Sequence, residues 1–192
     1  DGSHESFYED GQLHVKENYK NGKRDGLSEW FDENGQLKTT KNYKNRKKDG
    51  LWEMFHENGQ LWNRENYKDG KRDGLYESFY KDGQPRTRLN YKNGKRDGLQ
   101  ESFLTDGRLI ERSNYKNGKK DGVFEMYSFD FDCLEWRGNY KEGKLDGPSE
   151  GFYENCQLEY RYNYKEGKRE GFYEEFDEDG NLTETGNYKE NQ

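Results

Sequence analysis

Residues 49–72 read DGLWEMFHENGQLWNRENYKDGKR, and a near copy stands on either side, at 25–48 and 73–96. The glycine after the opening acid recurs as Gly2, Gly26, Gly50, Gly74, Gly98, Gly122, Gly147 and Gly171, in steps of 24 apart from one step of 25. The chain is therefore eight copies of one unit: 1–24, 25–48, 49–72, 73–96, 97–120, 121–145, 146–169 and 170–192. A period of this size marks a repeat array, in which each unit contacts mainly its neighbours.

Counting the opening acid as place 1, places 3 and 7 are mostly apolar, as in Leu27/Phe31, Leu51/Phe55, Leu75/Phe79 and Leu99/Phe103. Place 5 is glutamate in every copy, from Glu5 to Glu174, and places 18 to 20 read Asn-Tyr-Lys throughout. Turn signals fall at places 9–11, as in Glu57-Asn58-Gly59, and again after Asn-Tyr-Lys. Two short alternating runs separated by Asn-Gly or Asp-Gly make a β-hairpin. The expected fold is all-β: an elongated, single-layer antiparallel meander of eight hairpin repeats, about 16 strands running roughly 75 Å at the ~4.8 Å strand spacing.

Loop length decides which side chains share a face. A three-residue loop closed by a glycine bulge pairs place 8 with place 12 and predicts the cross-strand pairs Phe55–Leu61, Phe31–Leu37 and Phe103–Leu109. Applied to both turns of the unit, it places Leu51, Glu53, Phe55, Leu61 and Tyr67 on one face. The more variable places 4, 6, 8, 14 and 16 then share the other. The glycine at place 2, lacking Cβ, is expected to let a neighbouring ring approach the backbone.

Composition bounds the function. Hydrophobic residues make up 27% and charged residues 38%, and mean hydropathy is −1.64, values that lean toward disorder. Against that stand 16% aromatic residues, held at fixed places beside fixed turns. A net charge of −7 argues against nucleic acid as a partner. Two cysteines, Cys133 and Cys156, exclude a disulfide-dense scaffold or a four-cysteine zinc site. Both are read at acidic-edge turns of adjacent copies, where a bridge needs local adjustment. No apolar run approaches the ~20 residues of a membrane span. No leader is visible, so the compartment stays open between cytoplasm and export.

The spacing YKNGKRDGLxExF followed by x-NGQL resembles the MORN repeat, specifically the MORN-variant repeat of bacterial proteins, and the likeness runs the length of the chain. The resemblance implies a twisted sheet of hairpins used for protein–protein contacts or, in eukaryotic members, phospholipid headgroups. Some bacterial members are antitoxin-like, others surface-associated. Four departures stand out: Pro85 and Pro148 replace leucine, Arg46 replaces a turn glycine, and copy six carries one extra residue within Ser128–Cys133.

No catalytic residue is expected. A glutamate present in all copies suits a repeated strut, hydrogen-bonded to amides, tyrosines or lysines, better than a single active site. His4, His14 and His56 share no ligand spacing, and Asp177-Glu178-Asp179-Gly180-Asn181 sits at a hairpin turn, so neither a metal nor a cofactor is expected. The variable face is the candidate for a protein partner. Trp30, Trp52, Met54 and Trp62 are expected to project from it, with Met54 opposite Trp62 and Trp52 opposite Arg64. Phe124 and Met126 repeat the arrangement in copy six. The Lys-Asn-Gly-Lys-Arg turns bring Lys20, Lys23, Lys44, Lys47, Lys68 and Lys71 to one edge, a candidate surface for anionic lipid. The leading reading is a non-catalytic scaffold that binds a protein through one face. The alternatives are an antitoxin or immunity protein, and a surface adhesin or anionic-lipid binder. Open strand edges also allow end-to-end self-association.

Overall fold

The computed structural model describes residues 1–131 and 133–189, so Asp132 of the copy-six insertion lies outside the described residues. Among the described residues there is no helix; sixteen strands account for the regular structure. They fall into two compact units, Asp1–Lys95 and a second beginning at Arg96. The first contains β1 (Gly2–Phe7), β2 (Leu13–Lys20), β3 (Lys23–Phe31), β4 (Leu37–Lys44), β5 (Lys47–Phe55), β6 (Leu61–Lys68), β7 (Lys71–Phe79) and β8 (Pro85–Lys92). The second contains β9 (Lys95–Phe103), β10 (Leu109–Lys116), β11 (Lys119–Tyr127), β12 (Leu134–Lys141), β13 (Lys144–Phe152), β14 (Leu158–Lys165), β15 (Lys168–Phe176) and β16 (Leu182–Tyr188). Within each unit consecutive strands pair antiparallel in chain order. The expected meander of hairpin repeats is thus the fold.

The first turn of every copy except copy six, where the Ser128 amide donates to Cys133 O across the inserted residue, is the three-residue loop. The His56 amide donates to Gln60 O at 2.7 Å and the Gly59 amide to His56 O at 3.0 Å, with Gly59 at φ +82°. Phe55 pairs with Leu61, Phe31 with Leu37 and Phe103 with Leu109, as the loop requires.

The second turn differs from the expectation. Lys68 pairs with Lys71, and the two residues between them, Asp69 and Gly70, have φ of 50° and 88°. This is the type I′ turn that Asn-Gly and Asp-Gly favour, because its twist matches that of the flanking strands.

A further difference follows at each place 14. Phe55 pairs with Leu61, but Met54 then pairs with Asn63, leaving Trp62 as the extra residue of a β-bulge. The same step recurs at Ser6/Phe7, Trp30/Phe31 and Ser78/Phe79 in the first unit. A one-residue shift moves every later side chain to the other face. Trp52 therefore stands opposite Glu65, not Arg64, and Glu53 stands opposite Arg64. Tyr67 joins Trp52, their ring centres 5.0 Å apart, instead of Leu51.

Place-2 glycine is required for two reasons. Gly50 has φ +98°, and a Cβ there would come within 3.2 Å of Asn42 Cβ. The close neighbour is thus the asparagine of place 18, not a ring. Asn42 Nδ2 donates to Leu51 O at 2.7 Å, as Asn18 does to Leu27 O at 2.7 Å and Asn163 to Phe172 O at 2.8 Å. The opening aspartate ties the second turn of its own copy: Asp25 accepts the Asn45 amide at 3.0 Å, Asp49 the Asp69 amide at 3.2 Å and Asp73 the Asn93 amide at 3.0 Å. The next amide seats the turn on the copy before it: Gly70 donates to Lys48 O at 2.8 Å and Gly94 to Arg72 O at 2.7 Å.

Candidate functional site: two faces and a basic edge

The bulge sorts each sheet into an ion face and an aromatic face. On the ion face, place-5 glutamates alternate with place-16 arginines. Glu77 lies between Arg64 at 2.6 Å and Arg88 at 3.1 Å. Glu150 is held by Arg137 and by Arg161 at 2.8 Å, and Arg161 reaches on to Glu174 at 3.1 Å. The recurrent glutamate is thus a strut whose ion-pair partners among the described residues are chiefly arginines, with Lys16 at Glu5. For Glu150, burial pushes the carboxyl up, but hydrogen bonds from Arg161 and Arg137 outweigh it and hold the group below the usual carboxylate range. Arg64 belongs to this ladder, away from Trp52. Leucines of place 3 flank it and stay open to solvent, Leu75 among them.

The aromatic face carries most of the buried side chains: Trp52, Leu89, Phe124 and Tyr162. A cation at place 24 sits over the rings. Lys48 Nζ is 3.8 Å from the Trp52 ring centre and 4.4 Å from that of Tyr67. Lys120 Nζ lies 3.6 Å from that of Phe124, and the Arg169 guanidinium 3.8 Å from that of Tyr162. Desolvation pushes Lys120 down, as burial beneath rings should. Tyr162, buried and hydrogen-bonded to Glu175, is pushed up to about 12.

Of the predicted partner-binding residues, Trp30, Trp52 and Met54 share the aromatic face in the first unit. Trp52 is 5% exposed, with its indole N–H donating to Asn42 O at 3.0 Å. Trp62 is 44% exposed, its ring centre 6.2 Å from that of His56. In the second unit Phe124 packs against Trp136 at 5.3 Å, and Met126 stands opposite Trp136. Sequence reasoning missed Trp136 and the exposed Phe129 and Phe131 of the copy-six insertion. The signal was available, since that insertion is the one place where two phenylalanines interrupt the repeat.

The six predicted edge lysines are all exposed. Lys20 pairs with Lys23, Lys44 with Lys47 and Lys68 with Lys71 across the type I′ turns, a like-charge arrangement that is mildly destabilising. The neighbouring aspartates are engaged by backbone amides. Cys133 and Cys156 are both thiols, and Cys156 is exposed. Asp177 Oδ1 accepts the Asp179 and Asn181 amides at 3.1 and 2.8 Å, which makes that stretch an ordinary turn. Among the described residues, no cluster of three or more His, Cys, Asp or Glu is placed to hold a metal, and no helix is long and apolar enough to cross a membrane.

A hairpin-repeat fold with an ion ladder on one face and stacked rings on the other defines a β-repeat binding module. The model for the MORN repeat variant matches residues 1–21, 24–45, 48–69, 72–93, 96–117 and 169–190, and the chain belongs to that family. Residues 118–168 fall outside the match, yet β11 to β14 keep the bulge and turn of the other copies. Comparison with the curated proteins returns no match. Repeats of this family are protein- or lipid-binding modules and are typically not catalytic.

Proposed function

We propose that this protein is a non-catalytic scaffold that binds a protein partner through the aromatic face of its repeats. The observation that carries the reading is Trp62. It is the extra residue of its bulge, between Leu61 and Asn63, and is 44% exposed where Trp52 is 5% exposed. A large exposed ring beside His56, one residue before the Asn63 that pairs with half-buried Met54, has the composition of an interface hot spot. Trp52 supports this surface from beneath.

The test uses the full chain, immobilised, against a lysate of its source. Wild type and Leu75→Ala, altered on the ion face, should retain the same protein, and Trp30→Ala and Trp62→Ala should lose it by at least about tenfold. Equal recovery by all four forms would reject the aromatic face. A second reading, anionic lipid at the basic edge, is favoured by the opposed lysine pairs. In a parallel arm, sedimentation with phosphatidylserine vesicles should weaken by about 1 kcal/mol for each of Lys44, Lys47, Lys68 and Lys71 removed if that edge is responsible.

A further inference from the structure

In copies one and three the place-24 cation has an acid beside it. Arg24 pairs with Glu17 at 2.9 Å, and Arg72 with Glu65 at 2.6 Å. Both acids occupy place 17, and both are buried. Copy two lies between them and differs from both. Its place 17 is Lys41 and its place 24 is Lys48, so a second cation stands where the two adjacent copies have a carboxylate.

Both ammonium groups converge on one ring. Lys41 Nζ is 5.2 Å from the Trp52 ring centre and 4.4 Å from that of Trp30. Lys48 Nζ is 3.8 Å from the Trp52 ring centre and donates to Tyr67 Oη at 3.2 Å. Through that hydroxyl Lys48 reaches Glu65 indirectly, since Tyr67 donates to Glu65 at 3.0 Å. Lys41 has no such relay, and among the described residues neither lysine forms an ion pair. Opposite Lys41 on β3, the Ser28 hydroxyl is fully buried and has no hydrogen-bond partner among the described residues. Burial, Lys48 and Arg24 all press Lys41 toward its neutral form, and only Glu17 opposes them. An anion between the two lysines would relieve that repulsion in a partly desolvated setting, where a charge-assisted contact is strong.

We propose that Lys41 and Lys48, framed by Trp30, Trp52 and Tyr67, form a carboxylate-binding site for an acidic peptide segment of a protein partner. The site rests on the reading of the aromatic face as the partner surface. A peptide is favoured over a small phosphate because the ammonium pair is continuous with apolar surface, Trp30 and Met54, that a residue beside the acid would cover. A free phosphate leaves those side chains unused.

The probe is an end-blocked Glu-Leu-Glu-Leu peptide, titrated into the full chain and followed by tryptophan fluorescence. The Gln-Leu-Gln-Leu peptide and inorganic phosphate serve as comparators at matched ionic strength. Lys41→Glu restores the acid that Glu17 and Glu65 supply in the adjacent copies. Its thermal midpoint is expected to equal or exceed that of wild type, which separates loss of binding from loss of fold. The acidic peptide should bind wild type about tenfold or more tightly than it binds Lys41→Glu, and the glutamine peptide should bind neither. Equal affinity for the two proteins, or no binding to wild type, overturns the site. Phosphate binding as tightly as the peptide overturns the peptide occupant. If Trp62→Ala loses the captured partner while the peptide binds wild type and Lys41→Glu alike, the site fails and the scaffold reading stands. If capture survives Trp62→Ala and Trp30→Ala, the scaffold reading itself fails.

Discussion

The two faces are cut from the same strands, yet they hold together by different means. On the ion face the chemistry repeats: glutamate at place 5 in every copy, arginine at place 16 in Arg64, Arg88, Arg112, Arg137 and Arg161. On the aromatic face the residues change from copy to copy, and most of the burial is there. Each copy fills that face in its own way. Trp52 stacks with Tyr43 and Tyr67, and Tyr162 with Tyr160 and Tyr173. Where one position shrinks, its neighbour's ring takes the space. A Cβ on Gly138 would meet the Trp136 ring at 2.4 Å, and one on Gly151 the Tyr160 ring at 2.3 Å. Repetition in sequence therefore marks the geometry that every copy needs, and variation marks where volume is exchanged between neighbours. Interiors tolerate such exchange as long as total volume is kept.

The difference should be measurable, and the largest effect lies on the aromatic face. Trp52→Ala removes a 5% exposed ring, its hydrogen bond to Asn42 O and the platform beneath Lys48. Removing a buried tryptophan side chain costs about 3–5 kcal/mol. Because each repeat contacts mainly its neighbours, the loss should concentrate in β4 to β6. Hydrogen exchange resolved by peptide checks this: protection should fall there and hold in the second unit. A uniform loss, or none, would mean that this face is not the core of the first unit.

Trp52 also shows how far the sequence could be read. Its repeat, strand content, first turn and the Phe55–Leu61 pair all follow from spacing, because turn glycines and hydrophobic alternation leave few registers. The face of Tyr67 and Arg64 does not follow from alternation alone. One bulge residue per hairpin reverses it, and no turn residue announces that bulge. The signal lay in charge and ring partners instead. Glu53 and Glu77 need a cation on their own face, which Arg64 supplies at 2.6 Å from Glu77. Lys48 and Trp52 need Tyr67 on theirs. The Asn-Gly and Asp-Gly pairs at the second turn themselves specify type I′, because that two-residue loop needs φ > 0 at both positions. The candidate site was legible as a cluster of unusual residues. What was not legible was which members are buried: Trp52 is enclosed by Tyr43, Tyr67 and two lysines, whereas Trp62 is the unpaired residue of a bulge.

A medium effect is expected on the ion face, and it carries a pH signature. Glu150 is 7% exposed and its carboxyl is held below the usual range by Arg161 and Arg137. A group whose folded pKa is depressed contributes stability that is present above its unfolded value, about 4.3 for glutamate, and lost as pH falls through the folded value. Glu150→Gln keeps the shape and removes the charge. It should cost about 1–2 kcal/mol at pH 7, the lower part of the range for charged hydrogen bonds, because Arg137 and Arg161 are 45% and 43% exposed and rehydrate. The gap between the urea midpoints of wild type and variant should narrow as pH falls from 7 to 3. A gap that does not narrow at all between pH 7 and pH 3 would assign the effect to packing and erase the electrostatic distinction between the faces.

The smallest expected effect touches neither face and gives the baseline for both. Cys156 occupies the place-11 position that glycine fills in most copies, at φ +68°, and its amide still closes the turn to Tyr153 O at 2.9 Å. A side chain in this left-handed region costs roughly 1–2 kcal/mol, a penalty that glycine avoids at the expense of greater freedom in the unfolded chain. The thiol is exposed, so little packing is lost with it. Cys156→Gly should therefore raise the urea midpoint, by about 1 kcal/mol, with an unchanged denaturant slope, since no surface changes hands on unfolding. Its increment should also be the same at pH 7 and pH 3, unlike that of Glu150→Gln, and should leave β4 to β6 as protected as in wild type, unlike Trp52→Ala. If the midpoint falls instead, the Cys156 side chain makes a contact worth more than the strain of its turn, and the turns would have to be counted with the faces as sites where this array stores stability.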